Sequence, residues 1–203
     1  LRSGNMGNIF TDSNSYLSDA KNNSDALKID KLWYTFPIGD EFKITVGPLI
    51  ENYYMVETPT RYKPVLKAFK LGGYGALMGA QSGGGAGIQW RQNVPRGEAA
   101  FNIAANYTTD DGEAASSDST KGMFGSASDG YFLSQIGYGN REWYVAAMYA
   151  HKHGDGGSTP TIGYSTDLAL KTEDALNAYG LRGYWTPQES GIIPSISAGV
   201  DFA

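Results

Sequence analysis

Residues 99–108 read Ala-Ala-Phe-Asn-Ile-Ala-Ala-Asn-Tyr-Thr, and this stretch decides the fold. In an extended chain Phe101, Ile103 and Tyr107 fall on one side, whereas Asn102 and Asn106 fall on the other. This alternation with a period of two predicts a β-strand whose two faces meet different surroundings. Seven more segments share the pattern, at 29–37, 42–50, 86–94, 131–139, 142–150, 176–186 and 195–202. The sequence therefore predicts an all-β protein.

The connections between the predicted strands alternate in length. Short turns, such as Pro-Ile-Gly-Asp at 37–40, follow the odd-numbered strands, and long polar stretches at 51–85, 109–130 and 151–175 follow the others. This alternation is typical of an antiparallel up-and-down transmembrane β-barrel with one plain and one elaborated rim. Eight strands are half of a porin-type barrel of about 16 strands. We therefore expect residues 1–203 to be part of one barrel domain completed by strands outside them, with a narrow eight-stranded barrel as the alternative.

Composition and charge exclude several classes of protein. The 16 Lys and Arg against 21 Asp and Glu give a net charge of −5, which argues against nucleic-acid binding because phosphates require a basic surface. The chain has no Cys, so a disulfide framework and a thiolate zinc site are excluded. No apolar run is long enough for a membrane-spanning helix.

Aromatic side chains cluster toward the predicted strand ends on the apolar face, while aliphatic or small side chains fill the middles. Alternation alone does not separate a soluble sandwich from a membrane barrel, because both have a period of two. Trp and Tyr prefer the headgroup level of a bilayer, so their position favours a membrane barrel with interfacial girdles. The predicted girdle comprises Tyr34, Phe36, Trp90, Tyr107, Tyr138, Trp143, Tyr149, Trp185 and Phe202.

The opposite face carries polar side chains in mid-strand, which are predicted to line a hydrated lumen. These predicted lining residues are Lys43, Thr45, Gln89, Arg91, Asn102, Asn106, Gln135 and Arg182. The long connection at 51–85 adds a basic cluster, Arg61, Lys63, Lys67 and Lys70. Such a loop can fold into a barrel as a constriction that favours anions, or it can cover the outer rim, and the sequence leaves both open.

Several local patterns resemble enzyme or metal motifs without their structural context. The glycine-rich stretches at 72–75 and 83–85 are predicted to lie in a loop, without the following helix that a phosphate site needs. His151 and His153 lack evident further metal ligands, and the acidic stretch at 110–118 lacks the spacing of a calcium loop. We therefore predict no catalytic site, no metal site and no cofactor, and the chain is not expected to be an enzyme.

The stretch Asp-Lys-Leu-Trp-Tyr-Thr-Phe-Pro-Ile-Gly-Asp at 30–40, followed by Ile-Thr-Val-Gly-Pro at 44–48, resembles the cyanobacterial outer-membrane porins. These form the OprB-like, carbohydrate-selective or iron-uptake porin group, whose members carry an S-layer-homology domain. Weaker similarities lie at 83–87, 177–181 and 194–199, so that the resemblance extends in order over 29–203. Where the family often has a run of Arg, this chain has Met78-Gly79-Ala80-Gln81, so that arginine roles in this loop are not carried over.

The resemblance implies a homotrimeric, multi-pass barrel in the outer membrane, surrounded by lipid and lipopolysaccharide. It implies passive diffusion of inorganic ions and small hydrophilic solutes, with transport of ions and carbohydrates as the family's role. The family's S-layer-homology domain and the remaining strands are expected to lie outside these residues. Two other functions remain open: a closed structural or adhesion barrel without a channel, and a soluble all-β carbohydrate-binding domain.

Overall fold

The structure is a computed structural model that describes residues 29, 31–57, 82–109, 117, 130–153, 175–189, 192 and 194–202. Its strands are β1 (Leu32–Ile38), β2 (Phe42–Glu51), β3 (Ser82–Arg91), β4 (Ala100–Thr109), β5 (Gly130–Gly139), β6 (Trp143–His153), β7 (Ala175–Trp185) and β8 (Ile196–Phe202). One short 3₁₀ helix, Asn52–Met55, follows β2 directly. The fold is therefore all-β with almost no helix in the part described.

The eight strands form one sheet in the order of the chain, and every neighbouring pair is antiparallel. The predicted all-β, up-and-down order is confirmed, and each predicted strand overlaps the strand found at its place. Within the described residues the sheet is not closed, because β1 and β8 each pair with one neighbour and not with each other. Short connections join β1 to β2, β3 to β4, β5 to β6 and β7 to β8. They all lie at the same end of the strands, here called the short-turn end.

The start of β3 differs from the prediction. The sequence pattern began this strand at residue 86 and left 83–85 in a loop, but the structure begins it at Ser82. Glycine is unfavourable in strands, so the run of glycines concealed the alternation. At Gly87 a Cβ atom would lie 2.8 Å from Sδ of Met55, so the missing side chain lets the 3₁₀ helix pack directly on β3.

The two faces of the sheet are buried to very different degrees. The face with the apolar side chains, here called the outer face, is half-exposed, with Ile103 at 49%, Val145 at 55% and Leu181 at 56%. The other face, here called the inner face, is buried in the central strands even where it is polar, with Asn102 at 1% and Gln135 at 3%, whereas Lys43 and Arg91 on the same face are exposed. This is the reverse of a soluble domain, in which the apolar face is covered and the polar face meets water.

The inner face is covered in part by residues 52–57, here called the inward segment. Val56 packs in a buried apolar cluster with Tyr131, Leu133 and Met148, and Tyr53 lies against that cluster. This small apolar region sits toward the end of the sheet opposite the short turns. The remaining buried side chains of the inner face are mainly polar or small.

Hydrogen bonds join neighbouring hairpins at the short-turn end. The carboxylate of Glu41 accepts from the backbone N–H of Asn93 at 3.0 Å and from the indole of Trp90 at 3.1 Å. These two bonds, the Asn93 bond first, hold the pKa of the Glu41 carboxyl below its usual range. Further along, the side chain of Asn140 donates to the carbonyl of Gly97 at 3.2 Å. The position of each short turn is thus tied to that of the next.

Candidate functional site on the inner face

All the predicted lining residues lie on the inner face, at alternating positions of their strands. Six are buried, namely Thr45, Gln89, Asn102, Asn106, Gln135 and Arg182. The other two, Lys43 and Arg91, are exposed. The strand alternation read from the sequence therefore placed each of these side chains on a common face, while their part in lining a lumen stays a prediction.

The inward segment descends from the end of β2 toward the middle of the sheet. Its first carbonyl, that of Asn52, accepts a hydrogen bond from the Asn106 side-chain amide at 3.1 Å. Its last carbonyl, that of Glu57, accepts from the Gln135 amide at 3.1 Å. In the strand register Gln135 pairs with Ala104, two residues nearer the short-turn end than Asn106. The segment therefore passes over the inner face and ends near the middle of the strands, about halfway between the short-turn end and the opposite end of the sheet.

A pair of opposite charges lies where the inward segment ends. Nη1 of Arg91 is 3.6 Å from Oε1 of Glu57, and both side chains remain partly exposed, at 50% and 38%. Arg91 was among the predicted lining residues, but Glu57 was not. The sequence contains no signal that brings residue 57 opposite residue 91, because that proximity depends on the path of the connection after β2.

The predicted basic cluster, Arg61, Lys63, Lys67 and Lys70, lies outside the described residues. The described beginning of the 51–85 connection lies on the inner face, since the 3₁₀ helix Asn52–Met55 contacts β2, β3 and β4. The two alternatives for the whole connection, a constriction or a cover of the outer rim, both stay predictions. Whether the basic side chains reach the same region stays a prediction.

A hydrogen-bond network crosses the inner face between non-adjacent strands. The hydroxyl of Tyr144 on β6 donates to Oδ1 of Asn102 on β4 at 2.8 Å. It reaches that partner by lying directly over Gly137 of β5, where any Cβ would meet the phenol ring. The amide of Gln135 donates to the same hydroxyl at 3.3 Å. These polar groups are held in fixed positions by the sheet.

The same network retains unused hydrogen-bonding capacity. Nδ2 of Asn102, Oδ1 of Asn106 and Oε1 of Gln135 are buried and have no hydrogen-bond partner among the described residues. Buried polar atoms are costly unless water or another polar group satisfies them. An inner face of this composition is therefore suited to contact with water and polar solutes rather than to an apolar core.

The nine predicted girdle residues lie on the outer face. Ring contacts link neighbouring strands near the short-turn end, where Phe101 and Tyr138 have centroids 4.4 Å apart and Tyr138 and Trp143 lie 5.5 Å apart. Toward the other end, Tyr149 and Tyr179 lie 5.3 Å apart. Four further rings lie on the same face, Phe42, Phe101, Phe132 and Tyr179; they were not in the predicted girdle, although the same alternation places them there.

Phe36 does not lie at a strand end as predicted. It pairs with Ile44, and Ile44 pairs with Ile88, so the Phe36 ring sits in the aliphatic middle of its part of the sheet. The strand continues to Ile38 instead of ending at Pro37, so Phe36 lies further from the end of the strand than predicted.

The row of rings near the short-turn end runs obliquely across the strand pairs. Trp90 pairs with Ile103, but the next ring, Phe101, lies two residues nearer the short-turn end. Phe101 pairs with Tyr138, and the following ring, Trp143, lies two residues beyond the partner of Tyr138. A level belt of rings would therefore require strands that tilt relative to that belt, as in barrels.

The described residues contain no group of three or more His, Asp or Glu side chains that could hold a metal ion. Nδ1 of His151 lies 2.9 Å from Oδ1 of Asn177, so this ring is engaged with the neighbouring strand. The side chain of His153 and nearly all of the acidic stretch at 110–118 lie outside the described residues.

Comparisons with known proteins identify no relative. The chain matches no protein-family model, no curated protein and no solved structure. In the part of the chain that the structure describes, no helix is long and apolar enough to cross a membrane.

Proposed function

We propose that this chain is part of an outer-membrane β-barrel porin that allows passive diffusion of inorganic ions and small hydrophilic solutes. The observation that carries the proposal is the reversed burial of the sheet. Its apolar outer face is half-exposed along all strands, while buried polar amides occupy the inner face. In a bilayer the outer face contacts lipid and the inner face contacts water, which suits both compositions.

The aromatic rings support a membrane setting for the outer face. Rings lie toward both ends of the strands, and aliphatic side chains such as Ile103, Ile136 and Val145 lie between them. In a bilayer the rings would lie at the headgroup level and the aliphatic band would lie in the hydrocarbon. The oblique course of the rings across the strand pairs matches the tilt of barrel strands.

The open edges of the sheet support a larger barrel. An unpaired strand edge in lipid leaves backbone N–H and C=O groups without partners, and each such group costs several kcal/mol. β1 and β8 would therefore pair with further strands, giving a closed barrel of about 16 strands. The trimer, the contact with lipopolysaccharide and the outer membrane as location rest on the family resemblance alone.

The inward segment supports a constriction. It descends to mid-height and brings the Glu57 carboxylate to within 3.6 Å of the Arg91 guanidinium. A connection that enters a barrel narrows it, and fixed charges at the narrowest point influence which ions pass. We place Arg61, Lys63, Lys67 and Lys70 in the same constriction, where they would favour anions.

Single-channel recording in planar bilayers tests the proposal. The full natural chain, purified in detergent, should give stepwise, long-lived openings, and openings in groups of three would indicate a trimer. A folded barrel that gives no steps would contradict the proposal and favour a structural or adhesion role. A monomer that stays soluble without detergent would favour a carbohydrate-binding domain instead.

Charge reversal tests the constriction separately from the pore. K63E combined with K67E should shift the reversal potential in a salt gradient toward cation preference. The control is R96E, which makes the same kind of change at an exposed position of the short-turn end. An unchanged reversal potential in the double variant would contradict the proposed position of the basic cluster. It would not contradict the proposed pore function.

A further inference from the structure

A compact polar cluster lies where the inward segment leaves β2. Lys31, directly before β1, places its Nζ 2.7 Å from Oε1 of Glu51, the last residue of β2. Both side chains are largely buried, with 13% and 16% of their surface exposed. Removal of one partner from a largely buried ion pair is strongly destabilising, because it leaves the other charge buried and uncompensated.

The same ammonium group also holds the 3₁₀ helix of the inward segment. Nζ of Lys31 donates a hydrogen bond to the hydroxyl of Tyr54 at 2.8 Å. The Tyr54 ring packs against Trp33 of β1, with centroids 5.3 Å apart, and against Tyr53 at 4.8 Å. One cation thus joins the edge strand, the end of β2 and the first turn of the segment.

The opposite side of the segment is held by neutral hydrogen bonds, by packing, and by the partly exposed Glu57–Arg91 pair. Asn106 and Gln135 donate to its first and last carbonyls, and Met55 lies over Gly87. These contacts fix the segment against β3, β4 and β5, but they do not hold Tyr54, which faces β1. The Lys31 cluster therefore supplies the attachment on the β1 side.

We propose that Lys31 is a positioning residue that clamps the inward segment and thereby keeps the width of the pore constant. This inference rests on the proposed pore function. A hydrogen bond to a charged group stabilises the attached state by a factor of about 10 to 100 in population. Without the ammonium, the segment detaches more often from the β1 side, while its contacts with β3 to β5 remain.

Open-channel current fluctuations of the full natural chain test the clamp. K31M should raise the fraction of time spent at a second conductance level by about 10- to 100-fold, in line with the lost charged hydrogen bond. K31R keeps the charge and should restore most of the steady current. The matched control is K43M, which removes one Lys charge from an exposed position of the inner face, where the shift should be in ion selectivity and not in fluctuations.

A second variant keeps the test decisive if K31M does not fold. Y54F removes only the hydroxyl that Lys31 contacts and leaves the Lys31–Glu51 pair intact, so it loses the same charged hydrogen bond and should raise the fluctuations by a similar factor. Folded K31M or Y54F channels as steady as the natural chain would overturn the clamp. Absence of any channel in the natural chain would instead overturn the proposed pore function.

Discussion

A lysine in the middle of the outer face tests most directly what surrounds the sheet. Ile136 and Ile196 are the same residue type with similar exposure, 51% and 55%, but they lie at different heights. Ile136 lies in the aliphatic band of β5, whereas Ile196 begins β8 at the short-turn end. If lipid surrounds the outer face, depth should decide the cost of a lysine at each position.

The expected magnitudes differ clearly between the two positions. A lysine on the lipid face of a barrel costs about 2–4 kcal/mol at the bilayer midplane and about 0–1 kcal/mol near the interface. I136K should therefore lower the free energy of unfolding by about 2–4 kcal/mol, and I196K by at most about 1 kcal/mol. In a water-exposed sheet both substitutions would lie within about 0.5 kcal/mol of zero, because surface changes are usually small.

Urea titration of the full natural chain refolded into lipid vesicles measures both values. The free energy of unfolding would be followed by tryptophan fluorescence, with the slope against urea checked for a constant change in exposed surface. Equal costs for I136K and I196K would refute the assignment of the outer face to lipid. Equal and negligible costs, in a protein that remains folded without lipid or detergent, would establish water as its surroundings.

Three further predictions concern the inner face and the rim. Y144F leaves the buried Oδ1 of Asn102 without its donor and should cost about 1–3 kcal/mol in the urea titration. G87V forces a side chain against Met55 and should destabilise by about 1–3 kcal/mol while increasing channel fluctuations. Because bonds to Glu41 lower its pKa, its contribution is present above the ordinary glutamate pKa and is lost as the pH falls through the lowered one. E41Q should therefore have a lower urea midpoint at pH 7, and the difference from the natural chain should vanish in acid.

The strands and their order could be predicted because polar and apolar side chains alternate with a period of two along most of them. In β4 the contrast between Asn102 and Ile103 fixes both the strand and the face of each side chain. The prediction was wrong where glycines removed the contrast, at the start of β3. It was also wrong for Phe36, because Pro37 was taken as the end of a strand that continues to Ile38.

The candidate site was predictable only as far as it belongs to strands. Arg91 and Gln135 follow from alternation, but their partner Glu57 lies in a connection without periodicity. Its path is set by contacts between residues far apart in sequence, such as the amide of Asn106 with the carbonyl of Asn52. A contact between residues so far apart in the chain cannot be predicted from the local pattern of a single sequence.

The pairing of the eight described strands in chain order has a consequence for how this sheet is assembled. Within the described sheet each hairpin needs only the one before it as a template, so the pairing of β1 to β8 requires no partner made much later in the chain. The rim bonds between successive hairpins, such as that from the amide N–H of Thr186 to the carbonyl of Glu142, can form as each one docks. A gain or loss of a whole hairpin during evolution would then change the width of the sheet in steps of two strands, without any change of topology.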